Sequence, residues 1–127
     1  MKIKLIEILN FQSFYETIKD KKLPIKTAYK FTKFFNKVDE EIIFYQTKIR
    51  EISESYGERD KNGDLVLLED GRGVKVQESK IAECQKEIQD LATLEVEIDN
   101  ISFSTSELEG LELTVEELYP IVSFITD

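Results

Sequence analysis

Histidine is absent from all 127 residues, cysteine occurs once, at Cys84, and only two prolines, Pro24 and Pro120, interrupt the chain. Without histidine there is no Ser-His or Cys-His activation of a nucleophile, no imidazole zinc ligand and no general base of the usual kind. Most common hydrolase mechanisms are thereby excluded. A lone cysteine closes no internal disulfide, and its place in an apolar repeat predicts a core residue in a reducing, cytoplasmic setting, with a reactive thiol as the alternative. No apolar run reaches 18 residues, and Met1-Lys2-Ile3-Lys4-Leu5 is followed by Glu7 and Asn10 rather than a long apolar stretch with a cleavage site. This predicts neither a membrane span nor an export signal. Basic residues also run out: none follows Lys86, yet the last 41 residues hold eleven Asp and Glu, while the first 37 hold nine Lys against three acids. Such segregated ends attract each other, within a molecule or between neighbours, and point to association more than to chemistry.

The residues that are present predict a folded protein. A hydrophobic content of 41 % with eight phenylalanines argues against disorder despite 34 % charged residues. The length fits a single domain, 1–127, that buries roughly two thirds of the surface its unfolded chain exposes. A net charge of −9 opposes general nucleic-acid binding.

Local patterns place the elements. Branched residues over 2–8 predict a short strand, with Ile3 and Leu5 on one alternation and Glu7 fitting it less cleanly. Asn10 is placed to cap a helix over 10–20 carrying Phe11, Phe14, Tyr15 and Ile18. Leu23-Pro24 breaks the chain, and a long helix over 24–56 follows. In it Ala28, Phe31, Phe35, Val38, Ile42, Tyr45, Ile49, Ile52 and Tyr56 alternate three-four spacing over four heptads. Phe34, Ile43 and Phe44 lie off this stripe and predict a second buried side, against the N-terminal strand and helix or another subunit, and a homo-oligomer is expected over a monomer. Gly57 stands where a left-handed helix cap belongs. Asn62-Gly63 and Glu69-Asp70-Gly71-Arg72-Gly73 predict one or two hairpins over 58–77. A helix over 78–92 repeats Ile81, Cys84, Ile88 and Leu91, and a strand over 94–103 alternates Val96 and Ile98 with Glu95, Glu97 and Asp99. That acidic face is expected beside Lys2 and Lys4. Thr114 and Glu117 form a capping box opening a helix over 114–126, with Leu118, Ile121, Val122 and Ile125 apolar, which Pro120 is expected to kink or divide. The expected fold is α+β: a long antiparallel, coiled-coil-like helical pair with a β-hairpin at its tip and a small sheet joining N- and C-terminal strands.

Several clusters are candidate sites. Glu58, Asp60, Asn62 and Glu69 overlay the ligand positions of a twelve-residue calcium loop, with Gly63 at the required turn. Position 1 is Glu, however, position 9 is Val66, and Asp70-Gly71-Arg72-Gly73 resists the exiting helix, so an Asn-Gly hairpin without metal is the preferred reading. Lys26, Lys30, Lys33 and Lys37 share a helix face near Lys21 and Lys22. They suit a phosphate, a nucleotide or an acidic partner, against the plainer reading of a solvated face. Glu107, Glu109, Glu112, Glu116 and Glu117 form an acidic surface able to imitate nucleic-acid phosphates toward a basic cleft, against the plainer and preferred reading of an acidic, soluble tail. Phe11, Phe14, Phe34 and Phe44 read as core rather than base-stacking platforms. Glu95, Glu97 and Asp99 lack a fourth ligand for a hard cation. Glu78-Ser79-Lys80 after Asp70 is too short a match to a metal-dependent nuclease pattern to retain, and no cofactor motif is present.

Three stretches, LPIKTAYKFTKFF, YGERDKNGDL and EVEIDNISFSTSELEGLELTVEELYPIVSFI, resemble small uncharacterised proteins of tailed phages and prophages of Gram-positive bacteria. The resemblance spans most of the chain and transfers no site, since its motifs are structural punctuation. It implies the cytoplasm of an infected host, or a virion, and a role in assembly or host interaction. The expected function is therefore a non-enzymatic, phage-encoded interaction protein whose partner is a host or phage protein, with binding and inhibition of a host defence factor as its leading form. The alternatives are a virion or assembly component and an oligomer that sequesters a nucleotide.

Overall fold

Leu5, Ile8, Phe11, Phe14 and Ile18 stand three or four residues apart, and all five are buried. That spacing decides the N-terminal segment. The computed structural model describes residues 2–98 and 101–126. In it the strand β1 spans only Lys2–Lys4, and the chain then turns helical as α1, Leu5–Ile8, and α2, Asn10–Ile18. The strand expected over 2–8 is thus cut at Lys4. A strand would put Leu5 and Glu7 on one face, whereas a helix buries Leu5 with Ile8 and leaves Glu7 exposed. Because the helical backbone already precedes it, Asn10 makes no cap bond.

The long helix α3 runs Ile25–Ser55, opening after Pro24, whose carbonyl accepts from the Ala28 N–H at 2.9 Å. Burial follows the heptad stripe, with Phe31, Phe35, Val38, Ile42 and Tyr45 buried and Ile49 and Ile52 partly covered. Of the off-stripe residues, one is covered within the single chain. Phe34 is buried, but Ile43 and Phe44 are exposed.

After α3 come a 3-10 turn, Glu78–Lys80, the helix α4, Ile81–Ala92, and the strands β2, Glu95–Glu97, and β3, Phe103–Ser104. The chain closes with α5, Val115–Leu118, a 3-10 segment, Tyr119–Phe124, and β4, Ile125–Thr126. β1 pairs antiparallel with β2, setting Lys2 opposite Glu97 and Lys4 opposite Glu95, the cross-strand charge pairing that the alternation predicts. The strand expected over 94–103 is instead two short strands in two sheets, since Phe103 and Ser104 pair in parallel with Ile125 and Thr126. Its residues 99 and 100 lie outside the described residues. The capping box of Thr114 and Glu117 forms with both bonds in place. Pro120, lacking an N–H, ends the α-helical turn and the chain tightens to 3-10 geometry, so the expected helix is divided there.

By its contacts the chain forms two compact units, Met1–Ile42 with Glu95–Asp127, and Ile43–Leu94, where the sequence predicts one domain; α3 contributes to both. The first unit is an aromatic core. Phe11 meets Phe34 edge-on at 5.1 Å and Phe124 at 5.6 Å, and Phe31 stacks on Phe103 at 4.3 Å. In the second unit α4 brings Cys84, Glu83 and Glu87 to Tyr56, whose hydroxyl is held above its ordinary range by burial and then by those carboxylates.

Between α3 and α4 the predicted hairpins are more closed than a sheet. Single bridges join Gly57 to Val76, Arg59 to Leu65 and Leu67 to Val74, so each of three segments is antiparallel to both others. Their hydrogen bonds run in a ring: Glu58 N–H to Lys75 O at 2.7 Å, Lys75 N–H to Val66 O and Val66 N–H to Glu58 O, both at 2.8 Å. Such closure leaves no segment as an unpaired edge at that level. Gly63 and Gly71 make the two turns at positive φ, 84° and 71°. Gly57, expected as a left-handed cap, is not at positive φ. It is glycine because a Cβ there would lie 2.6 Å from both Leu65 Cδ2 and Val74 Cγ1.

Candidate functional site

The lysine face of α3 and the acidic segment, expected to be open to partners, meet each other. Lys30 Nζ lies 2.7 Å from Glu107 Oε2 and donates to the Ser102 carbonyl at 3.1 Å. Glu107 in turn accepts from the Ser104 N–H at 3.3 Å and hydroxyl at 3.2 Å, and its own carbonyl accepts from the buried Thr27 hydroxyl at 3.3 Å. Opposite charges carried 77 residues apart thus tie one turn onto α3. Lys37 is also engaged, 3.4 Å from Glu41 and 3.7 Å from Glu40. Glu117 is spent on its cap, which holds its carboxyl below the usual range, with a smaller contribution from the Lys21 charge. Among the described residues Lys21, Lys22, Lys26 and Lys33 make no ion pair, and Glu109, Glu112 and Glu116 are exposed.

The Lys30 bond, then the Ser104 N–H, hold the Glu107 carboxyl below its ordinary range. A depressed carboxyl stabilises the fold above its unfolded-state pKa and loses that contribution as pH falls through the lower folded value. Stability measured by urea denaturation is therefore expected to fall on acidification below the normal glutamate range, and Glu107→Gln to flatten that part of the profile. A variant with an unchanged acid limb would show that the Lys30–Glu107 contact is not formed in solution.

Behind this contact Lys30, Lys33 and Lys37 wall a cavity of about 270 Å³ together with Tyr29, over a floor of Phe34, Ile98 and Ile101. Lys33 Nζ sits 5.6 Å from the Tyr29 ring centroid, a cation–π distance.

A second surface lies on the C-terminal turns. Leu118 is half-buried, Ile121 and Phe124 are buried, and the opposite face presents Val115, Tyr119 and Val122, exposed by 85 %, 75 % and 53 %. Val122, grouped with the packed residues on sequence, belongs to the outer face. The chain here turns by 100° and then about 120° per residue, which aligns 115, 119 and 122. Their spacing of four and then three was the signal available in the sequence, hidden by the inward stripe beside it. With Asn10, Ser13, Glu116 and Pro120, Val115 and Tyr119 line a groove of about 630 Å³.

The calcium-loop residues do not converge. Glu58 turns to Lys75 at 3.3 Å, Asp60 Oδ1 accepts from the Asn62 and Asp64 N–H groups at 2.8 and 3.1 Å, and Glu69 lies in the following turn. Arg59 donates to the Gly63 carbonyl at 2.6 Å and so ties the turn to its own strand. Among the described residues no group of three or more Asp, Glu or Cys is placed to hold a metal ion. Glu95 and Glu97 stand opposite Lys4 and Lys2 across the β1–β2 ladder, and Asp99 lies outside the described residues. Glu78, Ser79 and Lys80 form the 3-10 turn before α4. Phe11, Phe14 and Phe34 are core, while Phe44 is exposed under Lys48 at 5.8 Å. Cys84 is buried, and burial, then the Glu87 charge, push its thiol up, which suppresses the reactive thiolate.

Among the described residues no helix is long and apolar enough to cross a membrane. Comparison with protein-family models, with curated proteins and with solved structures finds no match to this mixed helical and stranded chain.

Proposed function

We propose that this chain is a non-enzymatic interaction protein that docks a protein partner on the Val115, Tyr119, Val122 face. The observation that supports this reading is the double-sided C-terminal turn, one apolar stripe packed on the core and a second turned outward. Contiguous apolar surface of this kind is characteristic of protein-binding sites. Tyrosine is a common anchor in such interfaces. Glu112, Glu116 and Glu109 are exposed along the same segment, so the fitting partner has an apolar pocket with a basic rim. The resemblance to small phage proteins makes that partner a host protein, such as a defence factor, in the cytoplasm of an infected cell. A virion or assembly role would use the same face against a phage protein or a second copy.

Val115→Ser with Tyr119→Ser is the direct test. Both side chains are exposed, so each substitution is expected to change stability by no more than about 0.5 kcal/mol. Capture of a protein from host lysate by the wild-type chain is expected to fall about tenfold or more with the double variant, as for loss of an interface anchor. Lys22→Gln with Lys26→Gln is expected to leave it unchanged. An undiminished catch by the serine variant would overturn the reading, and recovery of phage structural proteins alone would replace host binding with assembly.

A further inference from the structure

We propose that the lysine-walled cavity of α3 binds a small organic monoanion with a flat apolar body, of the aryl sulfonate or aryl carboxylate class. This inference is independent of the docking face, which lies on other residues. The size of the cavity, about 270 Å³, is at the lower limit of small-molecule pockets and admits one or two fused rings. Its floor is apolar, with Phe34 and Ile98 buried and Ile101 half-buried, and the exposed Tyr29 ring forms one wall. An apolar floor selects against a bare inorganic ion, which would lose hydration with nothing to replace it.

Charge fixes the valence. Of the three ammonium groups on the wall, Lys30 is neutralised by Glu107 and Lys37 by Glu41 and Glu40, which leaves Lys33 as the cation without a carboxylate among the described residues. One ammonium that no described carboxylate answers, beside an apolar floor, matches one negative group on an apolar ligand, through a charge-assisted contact. A polyphosphate would have to take Lys30 or Lys37 from its carboxylates, so the nucleotide reading of the whole lysine stripe contracts to a single anionic group. The Tyr29 ring under Lys33 holds the ammonium at the rim and offers its own face for stacking.

The test is an amide-resonance titration of the full chain with naphthalene-2-sulfonate, with the neutral 2-naphthalenemethanol and with inorganic sulfate. Saturable shifts confined to Tyr29, Lys33, Lys37, Ile98 and Ile101 are expected for the sulfonate. Lys33→Gln is expected to weaken it about tenfold, to the level of the neutral ring, as for the loss of one charge-assisted bond. Lys26→Gln, outside the cavity, is expected to leave the affinity unchanged. The proposal is overturned if the sulfonate does not saturate, if its shifts fall elsewhere, if sulfate binds as tightly, or if Lys33→Gln has no effect.

Discussion

Gly57→Ala is expected to destabilise the 43–94 unit by about 1–3 kcal/mol, the usual cost of forcing an extra group into packed structure. The added Cβ would stand 2.6 Å from Leu65 Cδ2 and from Val74 Cγ1, and 3.2 Å from the Glu54 carbonyl oxygen. The Leu65 methyl can swing away. Val74 has less freedom, because branching at Cβ leaves it few χ1 states, and the Glu54 carbonyl is backbone. Gly57→Val, with two further carbons in the same space, is expected to cost more than the alanine. Urea denaturation followed by circular dichroism measures the loss, and hydrogen exchange locates it in the Glu58, Val66 and Lys75 amides that close the ring. Val74→Ala in the Gly57→Ala background should return part of the stability, with a coupling of about 0.5–3 kcal/mol. A Gly57→Ala chain as stable as wild type or more so, as expected where alanine merely restricts the unfolded state, would contradict the closed ring.

Phe103→Ala is the second large effect, expected to cost about 3–5 kcal/mol. Its side chain is 0 % exposed and stacks on Phe31 at 4.3 Å with the rings 18° from parallel, under the Lys30 ammonium at 5.8 Å. Truncation removes the ring and leaves a cavity under the turn that Lys30 and Glu107 tie down. Against a typical net stability of about 5–15 kcal/mol, that is a large share. Phe103→Leu keeps much of the volume and is expected to cost about 1.5 kcal/mol or less. Phe44→Ala serves as the contrast: its ring is exposed on the same helix α3, and about 1 kcal/mol or less is expected. Equal losses at Phe103 and Phe44 would show that the aromatic core is not packed as described.

Much of the architecture was legible because it rests on periodicity. The heptad stripe from Ala28 to Tyr56 places α3 and predicts its buried residues, and the repeat through Cys84 and Ile88 places α4. The strand pairing of Lys2 and Lys4 with Glu97 and Glu95 follows from alternation and charge together. The cap of Thr114 and Glu117 is local, involves four residues and needs nothing from the rest of the chain. Residues 2–8 misled because an apolar cluster this short satisfies both periods, and only Ile8, Phe11 and Phe14 continuing the helical one decide it.

The candidate sites were less legible, for a different reason. Lys30 and Glu107 look alike unpaired in the sequence, since nothing local brings residues 77 positions apart together. Their pairing waits on Phe103 stacking against Phe31, which sets the turn beside the lysine face. The outward Val115, Tyr119, Val122 stripe likewise depends on which side of the C-terminal turns the Phe11 and Phe34 cluster covers.

By itself, then, the sequence determined the two longest helices, the C-terminal cap, the α+β class and the exclusion of histidine-based chemistry, because these depend on spacing and composition. Tertiary structure alone decided which lysines are answered by carboxylates, which acids are spent, and why residue 57 must be glycine. Those are questions of distance between residues far apart in the chain. The segregated charge of the two ends proved to be partly an internal clasp, and what it leaves exposed among the described residues includes Lys33 at a cavity and an apolar stripe among acids.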